Sequence, residues 1–582
     1  MDNYFVSSCK RVKDWICRQF GQKEKKTVHH KKLADGGEVI VWETGRAGEE
    51  AASYENLFLR KEIVGFRTNI RREQSCSIKS LTRDYLYKQL LSSGEYTFDH
   101  MLVIKDPYGE APLTALALFI LEEPACVRVT TKGNLKETDF VTELPKKKEH
   151  RVPILGMYAE KANDIVIEIL DDEGNCVKSH TFTIRTKRLP KSLRNVITVK
   201  KWTDKPAYSN IMINGGVKIH TCVFDIEGKI RYYLSRKPRG YGIFPLSDGH
   251  FFYMEKYISV PSYSNPQTVE SYDMDYFGRV FRTYLTEKGV HHTAEEKAGG
   301  NILTGSNSML EHTEDCVIEI DRQTGEIVWQ LNMAEIFDET YQNMMDWCHV
   351  NSAAYYEKDR TILISLRNVH AVICVDYDTK KLRWILSDPK FWEGTKMTPY
   401  LLQPEGDVKW CYQQHAAFEI ALPDESNPQK KRIIVYDNHW AKRRKAKSFD
   451  KDPLSYVSFY DIDEEKKTVS LHKRFAGPKT RIRANGIYVP DKKRVYNMAG
   501  SYAEPVDGDG GGIFEYDYET GEVLSEFGVK PGFFRAYPFE PNVQELAEPM
   551  QVTGDYQVGQ IKQPQEISSS KYCKLKSEKK HH

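Results

Sequence analysis

The chain has 582 residues, of which 40% are hydrophobic and 29% are charged, and its 84 Lys and Arg nearly balance its 82 Asp and Glu. This length indicates several domains or one large repeat architecture, and the composition excludes an intrinsically disordered chain. A formal net charge of +2 argues against a protein whose main role is to bind a polyanion, so we expect no nucleic-acid partner.

The sequence contains no recognisable membrane segment. Its longest apolar run, LTALALFIL at 113–121, is much shorter than the roughly 20 residues that span a bilayer. The N-terminal stretch lacks the apolar core of a secretory signal, which favours a cytoplasmic location. Eleven cysteines are scattered along the chain without a C-x-x-C pair, so we expect reduced thiols rather than a disulfide framework or a cysteine zinc site.

The N-terminal third divides into two parts. Residues 1–75 are polar with runs of charge, and they are interpreted as an extension that is partly helical or irregular. From about Tyr96 to Arg188, short alternating apolar segments are separated by turn signals such as DPYGE and DDEGN. This pattern predicts a small β-sandwich domain over residues 76–195.

An internal repeat follows residue 200. Six segments, from TCVFDIEGKIRYYL (221–234) to IFEYDYETGEVLSEF (513–527), each predict two strands joined by an Asp-containing turn. The turn aspartates are separated by 50, 46, 55, 87 and 54 residues, and they are Asp225, Asp275, Asp321, Asp376, Asp463 and Asp517. One hairpin per period of about 50 residues is typical of β-propeller blades.

We therefore predict an all-β chain in which a six-bladed β-propeller over residues 196–545 follows the small sandwich. The long fourth gap predicts an insertion, placed at 427–453, and residues 546–582 are predicted to be a flexible extension.

Polar residues at equivalent blade positions converge on the central channel of a propeller, although they lie far apart in sequence. Four segments place unusual polar residues at or near the starts of blades. The spacing from His292 to His349 is 57 residues and from there to His415 is 66, close to the blade period. The candidate site residues are His291, His292, His349, Asn351, Arg367 and His415.

Two kinds of chemistry suit these residue types. Three imidazoles could bind a metal, but an arginine among them would oppose the cation, and we recognise no carboxylate with the histidine segments. Arginine, histidine and asparagine together instead suit a tetrahedral oxyanion such as sulfate or phosphate, with one imidazole as nucleophile. We accordingly expect neither a metal nor a cofactor.

At these residues the sequence resembles the bacterial arylsulfate sulfotransferases, which move a sulfuryl group between phenols without 3′-phosphoadenosine 5′-phosphosulfate. The resemblance covers roughly residues 95–540. Its motifs occur in the family's order, and they are HH-x8-N at 291–301, DWCHVNS at 346–352, SLRN at 365–368 and QQHAAF at 413–418.

The resemblance implies a function and a role for each candidate residue. His415 matches the nucleophile, which becomes a transient sulfohistidine in a ping-pong reaction between aryl sulfate donors and phenolic acceptors. The matches to the groups that hold the sulfuryl oxygens are His292, His349 and Arg367, with Asn351 and His291 binding substrate. Either His349 or His292 would act as the general acid and base. The resemblance also implies a homodimer.

The family's periplasmic members carry a signal peptide and a short-range disulfide before the nucleophile. Here Cys411 precedes His415, and the nearest earlier cysteines are Cys374 and Cys348. Dependence on an oxidase is therefore not expected.

Two other functions are compatible with the repeats. One is a non-catalytic propeller that binds peptides or partner proteins. The other is a quinone-cofactor dehydrogenase, because VIEIDRQTGEIVWQL (317–331) resembles the tryptophan-containing repeats of that class, although those enzymes have more blades and a calcium-binding carboxylate set. The basic segment AKRRKAK (441–447) is interpreted as a solvated loop.

Overall fold

Strands dominate the chain in the computed structural model, which describes residues 28–34, 36–42, 76–203, 205–216, 219–236, 241–258, 267–308, 312–342, 344–422, 426–440, 452–550 and 559–560. The α-helices within these ranges are α1 (Cys76–Ser92) and α2 (Val543–Ala547). Neither helix is long and apolar enough to cross a membrane.

The N-terminal domain is one folded sheet of seven strands in the order β1-β2-β3-β4-β6-β7, with β5 also paired to β4. Strand β4 pairs with β3 through its first half and with β6 through its second half. Inward side chains from both halves share one core, so the small β-sandwich-like domain is present. The strands are β1 (Val28–Lys32), β2 (Glu38–Trp42), β3 (His100–Lys105), β4 (Ala115–Thr131), β5 (Phe140–Ile154), β6 (Ala162–Leu170) and β7 (Cys176–Arg185).

The described part of the N-terminal extension differs from the prediction. Residues 28–42 form the β1–β2 hairpin, and β2 joins the sheet in parallel with β3. The short alternation in EVIVW buries Val39 and Val41 in the domain core, which stabilises a strand despite the charged surroundings. The interpretation of this stretch as helical or irregular was wrong, and the rest of residues 1–75 lies outside the described residues.

The remaining strands form five sheets, named sheets 1 to 5 in chain order. Their orders are β11-β10-β9-β32 in sheet 1, β12 through β18 in sheet 2, β19 through β22 in sheet 3, β23-β27-β26-β25-β24 in sheet 4 and β28-β29-β30-β31-β8 in sheet 5, with β33 paired to β15. The strands are β8 (Ile197–Lys201), β9 (Asn210–Asn214), β10 (Cys222–Asp225), β11 (Ile230–Tyr233), β12 (Gly242–Pro245), β13 (Phe251–Ile258), β14 (Gln267–Met274), β15 (Val280–Glu296), β16 (Ile302–Ser306), β17 (Cys316–Ile320), β18 (Ile327–Asn332), β19 (Val350–Tyr356), β20 (Thr361–Leu366), β21 (Ala371–Asp376), β22 (Leu382–Leu386), β23 (Gln403–Pro404), β24 (His415–Ile420), β25 (Lys430–Asp437), β26 (Leu454–Asp463), β27 (Thr468–Pro478), β28 (Asn485–Val489), β29 (Arg494–Ala499), β30 (Gly511–Asp517), β31 (Val523–Val529), β32 (Arg535–Pro538) and β33 (Gly559–Gln560).

All six predicted hairpins are present as antiparallel strand pairs. The first one shows the chemistry of the turn. The Asp225 carboxylate accepts the backbone N–H groups of Glu227 and Lys229, while Gly228 adopts a φ of 71° that suits glycine. The aspartate therefore satisfies turn donors that the strands leave unpaired.

The prediction of six separate blades does not match the number of sheets. The hairpins at Asp275 and Asp321 lie in the same sheet, because the 17-residue strand β15 is continuous between them. One end of β15 pairs with β14 and the other end pairs with β16. The sequence therefore begins a new repeat between these two hairpins, but the structure does not begin a new sheet there.

The predicted insertion at 427–453 was also wrong as a single loop, since β25 lies inside it. The extra residues are divided between the connection from β22 to β24 and the connection from β25 to β26. The basic segment 441–447 lies outside the described residues.

The five sheets are arranged in a propeller-like ring. Sheet 2 contacts sheet 3, sheet 3 contacts sheet 4 and sheet 4 contacts sheet 5, each through the first strands of consecutive units. Sheet 1 is completed by β32 from near the end of the chain, which pairs with β9. This closure brings the C-terminal half of β15 and the starts of β19 and β24 into one region.

Candidate active site

Three histidines from different strands meet in this region. His292 lies in β15, His349 directly precedes β19, and His415 begins β24. The rings of His292 and His349 have centroids 4.7 Å apart, and the charges of His349 and Arg367 both influence the pKa of His415. The structure therefore gathers the central part of the predicted constellation.

The His415 ring is held at both nitrogens. Its Nδ1 lies 2.6 Å from Asn438 Oδ1, and its Nε2 accepts the backbone N–H of Arg483 at 3.3 Å. Because a backbone N–H can only donate, the Nε2 atom carries the lone pair and the Nδ1 atom carries the proton. Asn438 is oriented by its own amide group, which donates to Thr480 Oγ1 at 2.9 Å. This network places the lone pair of the ring on Nε2.

The surroundings also keep His415 neutral. Burial lowers the pKa of this imidazole well below its ordinary value, and the positive charges of Arg367 and His349 lower it further. The hydrogen bond to Asn438 acts in the opposite direction but does not outweigh them. The ring is only 3% exposed, so the neutral imidazole is the stable form at neutral pH.

Arg367 begins a 3-10 turn, Arg367–Val369, at the end of β20. Its Nη1 donates to Asn368 Oδ1 and its Nη2 donates to Gln413 Oε1, both at 3.1 Å. These bonds hold the guanidinium close to the segment that carries His415. A planar guanidinium held at this position can offer two parallel N–H donors to an oxyanion.

The two adjacent histidines of β15 have different positions. His292, with a φ of 58°, lies 4.4 Å from the Tyr241 ring and contacts the His349 ring, and burial lowers its pKa well below the ordinary value. His291 lies behind it, with Nε2 bonded to the Ser306 carbonyl at 2.8 Å and no exposed surface. The structure thus places His291, predicted to bind substrate, as a support for His292.

His349 has acidic neighbours that the sequence analysis overlooked. Its Nδ1 lies 2.9 Å from Asp346 Oδ2 and 2.5 Å from Glu314 Oε2. Burial alone would lower the pKa of His349, but the two carboxylates outweigh burial and raise it to about 9. The expectation that no carboxylate accompanies the histidines was therefore wrong. Asp346 opens the DWCH motif, and its position three residues before the histidine was the available signal.

Asn351 is fully buried and binds protein rather than facing open space. Its Nδ2 donates to the Gln414 carbonyl at 2.8 Å, and its own carbonyl accepts from Arg535 Nη2 at 2.7 Å. Its side-chain oxygen is buried without a hydrogen-bond partner among the described residues. The predicted substrate ligand thus braces the backbone just before His415.

Two further arginines line the site. Arg535, from the closing strand β32, lowers the pKa of both His292 and His415 by its charge. Arg483 has a φ of 69°, and its Nη1 is buried without a hydrogen-bond partner in the described ranges. Burial lowers the pKa of this guanidinium. A buried guanidinium N–H that lacks such a partner can donate to a bound anion.

Metal-capable donor sets are present, but their surroundings favour another use. Donor atoms of His291, His292 and Glu314, and of Glu314, Asp346 and His349, lie within 4.8 Å of one another. However, the Nδ1 of His349 already bonds to Asp346 and lies against Glu314, and arginine side chains lie close to His415. This arrangement suits an oxyanion, and we assign no metal ligands.

Comparisons with known proteins agree with this geometry. The family model described as Arylsulfotransferase (ASST) matches residues 195–535, and the model of the Arylsulfotransferase Ig-like domain matches residues 102–187. The chain is 22% identical to arylsulfate sulfotransferase AssT of Lelliottia amnigena over 563 residues, which covers 73% of this chain and 90% of that protein. It is 23% identical to AssT of Escherichia coli O6:H1, with the same coverage.

Solved structures resemble the chain less closely. An auxiliary nutrient binding protein from Bacteroides thetaiotaomicron is 13% identical over 71% of this chain and 94% of its own, with a TM-score of 0.31. That score is too low to support an argument about fold or function.

Proposed function

Because the chain belongs to the arylsulfotransferase family, we propose that it transfers a sulfuryl group from a phenolic sulfate ester to a phenol through a sulfohistidine at His415. The observation that supports this most strongly is the state of His415, a buried neutral ring whose Nε2 lone pair is selected by Asn438 and Arg483. A neutral imidazole beside cationic groups is suited to attack an anionic sulfate ester.

In the first half-reaction, His415 Nε2 attacks sulfur in line with the departing phenolate oxygen. The S–N bond forms, the S–O bond to the phenol breaks, and the phenolate oxygen receives a proton from a neighbouring imidazole. Like phosphoryl transfer, this step has a loose transition state with negative charge on the equatorial oxygens and the leaving group. Arg367 and Arg483 would neutralise that charge.

In the second half-reaction, a phenol acceptor enters the same position. The imidazole that lost its proton now removes the acceptor's proton, the acceptor oxygen attacks sulfur, and the S–N bond breaks. Microscopic reversibility requires the same residue to serve in both directions. The reaction is therefore ping-pong and regenerates neutral His415.

A homodimer and a cytoplasmic location stay predictions.

The proposed reaction is tested by incubation with 4-nitrophenyl sulfate, with and without a phenol acceptor. We expect one enzyme equivalent of nitrophenolate without acceptor and continuous release with it, matched by equal formation of the new sulfate ester. Mass spectrometry of the ester identifies transfer rather than hydrolysis. Continuous release without acceptor, or no release under either condition, would contradict the proposal.

Activity is further expected to survive dithiothreitol. The seven cysteines whose side chains the structure describes are all unbonded. Cys348 and Cys411, the two nearest the site in sequence, are buried with raised thiol pKa values. Transfer rates before and after reduction should therefore agree within about twofold, because no disulfide in these residues supports the site. A large loss on mild reduction would show a disulfide involving other cysteines.

A further inference from the structure

Two carboxylates converge on one nitrogen of His349. Glu314 Oε2 lies 2.5 Å from Nδ1, and Asp346 Oδ2 lies 2.9 Å from the same atom. The Glu314 side chain is fully buried and the Asp346 side chain is 12% exposed. Two carboxylates this close to one ring nitrogen stabilise the cationic form of the imidazole.

Hydrogen bonds hold both the backbone and the carboxylate of Glu314. Its backbone N–H donates to Asn307 Oδ1 at 2.7 Å, and its carbonyl accepts the N–H of Val350 at 2.7 Å. Tyr241 donates to its other carboxylate oxygen at 3.3 Å. Its φ of 56° lies in the left-handed region, where a non-glycine residue carries backbone strain. Such strain persists only where the surroundings impose it.

The second nitrogen of His349 faces a different environment. With Nδ1 directed at the carboxylates, the Nε2 atom has no hydrogen-bond partner within the described ranges, and the ring packs 4.7 Å from the ring of His292. A protonated His349 therefore presents a free Nε2–H donor at the histidine cluster. This is the atom that a departing phenolate oxygen would need.

The three clustered histidines are not electrostatically equivalent. The titratable and charged groups facing His349 are Glu314, Asp346, His291, His292 and His415. The contact of His292 with Glu314 is longer, 3.8 Å, and its pKa falls rather than rises. Cationic His349 and neutral His292 and His415 form the consistent set of charges.

We propose that Glu314 and Asp346 are positioning residues that keep His349 protonated and aimed, making His349 the proton donor to the leaving phenolate. This inference rests on the proposed sulfuryl transfer. As the S–O bond breaks and the S–N bond forms, the Nε2 proton of His349 moves to the phenolate oxygen, giving neutral His349 and a phenol. The acceptor phenol returns that proton to Nε2 in the second half-reaction.

The experiment compares donors that differ in their need for a proton. Single-turnover burst rates are measured for 4-nitrophenyl sulfate, whose leaving group is stable as an anion, and for phenyl sulfate, whose leaving group has a pKa of about 10. In Glu314→Gln and Asp346→Asn, we expect the phenyl sulfate burst to slow about 100-fold or more and the 4-nitrophenyl sulfate burst by less than about 10-fold. A merely structural role would slow both donors equally.

The pH profile gives a second readout. The donor half-reaction needs protonated His349, so the wild-type burst rate with phenyl sulfate should be constant below, and fall above, a pH of about 9. Removing either carboxylate lowers the pKa of His349, and the descending limb should move to lower pH by at least about one unit. The His349→Gln variant should show the same selective loss, and adding Asp346→Asn to it should change nothing further.

Asp172→Asn, in the exposed β6–β7 turn of the N-terminal domain, is the matched control and should leave both donor rates unchanged. Circular dichroism and thermal melts identify variants that fail to fold, and Asp346→Asn carries the test if Glu314→Gln is one of them. This inference is overturned if the wild type is active and the carboxylate variants keep two wild-type properties. These are the ratio of the burst rates for the two donors and the pH at which the phenyl sulfate burst rate falls. A wild type that shows no burst and no transfer with either donor overturns the proposed function instead.

Discussion

Replacing His415 with asparagine is expected to abolish both the phenol burst and the sulfuryl transfer, by at least about 1,000-fold. Asparagine has no nucleophilic lone pair on nitrogen, so no covalent intermediate can form and no parallel route replaces it. The variant should remain folded, because the ring contacts polar groups of Asn438 and Arg483 rather than an apolar core. Burst kinetics and overall transfer should be lost together.

The intermediate itself provides the direct measurement. The wild type, treated with donor alone, should carry a sulfuryl group on His415 that is stable in base and labile in acid, because protonating the imidazole restores a good leaving group. His472→Asn, a partly exposed histidine of β27, is the matched control and should retain full activity. A sulfuryl group on another residue, or a normal burst in His415→Asn, would refute the mechanism.

Replacing Arg367 with lysine is expected to reduce kcat/KM for the donor by about 30- to 1,000-fold, which corresponds to about 2–4 kcal/mol of transition-state stabilisation. Lysine keeps the positive charge but loses the planar pair of N–H donors, and it cannot reproduce the bonds to Asn368 and Gln413 that hold the group in place. Steady-state kinetics with 4-nitrophenyl sulfate measures the loss.

The matched control for this change is Arg360→Lys, at the outer turn of the same sheet. Arg360 is half-exposed and pairs with Asp378, so its replacement should alter kcat/KM by less than about twofold. If Arg367→Lys has an equally small effect, the guanidinium does not hold the sulfuryl oxygens, and the anion site must be assigned to the other arginines.

The hairpins could be predicted from the sequence because their signals are local. An aspartate that accepts turn N–H groups, followed by a glycine or lysine between two apolar runs, specifies the pairing of strands such as β10 and β11 without distant residues. The same locality explains why the positions of His349, Arg367 and His415 could be recognised, since each lies at the start or end of a strand in the repeat.

The number of sheets depended on a property that no local pattern contains. The residues of β15 between the two hairpins could have ended one strand and begun another. They instead stay in one strand, of which one end pairs with β14 and the other end pairs with β16. Strand EVIVW was missed for a related reason, because its five residues are stabilised by the core of a domain encoded some sixty residues later.

The chemistry of the site was decided by tertiary structure. The left-handed backbone of His292 decides which histidine of the adjacent pair faces the cluster. The two residue types in the sequence do not show this. The protonation states arise from groups on separate elements, with Glu314 and Asp346 meeting His349, and Asn438 meeting His415. The sequence by itself determined the repeated hairpins, because they follow from local hydrogen bonding and polarity. It also showed which polar residues are available to the site. Only the closed ring of sheets determined which groups share a low-dielectric interior, where a few ångströms decide the charge of an imidazole.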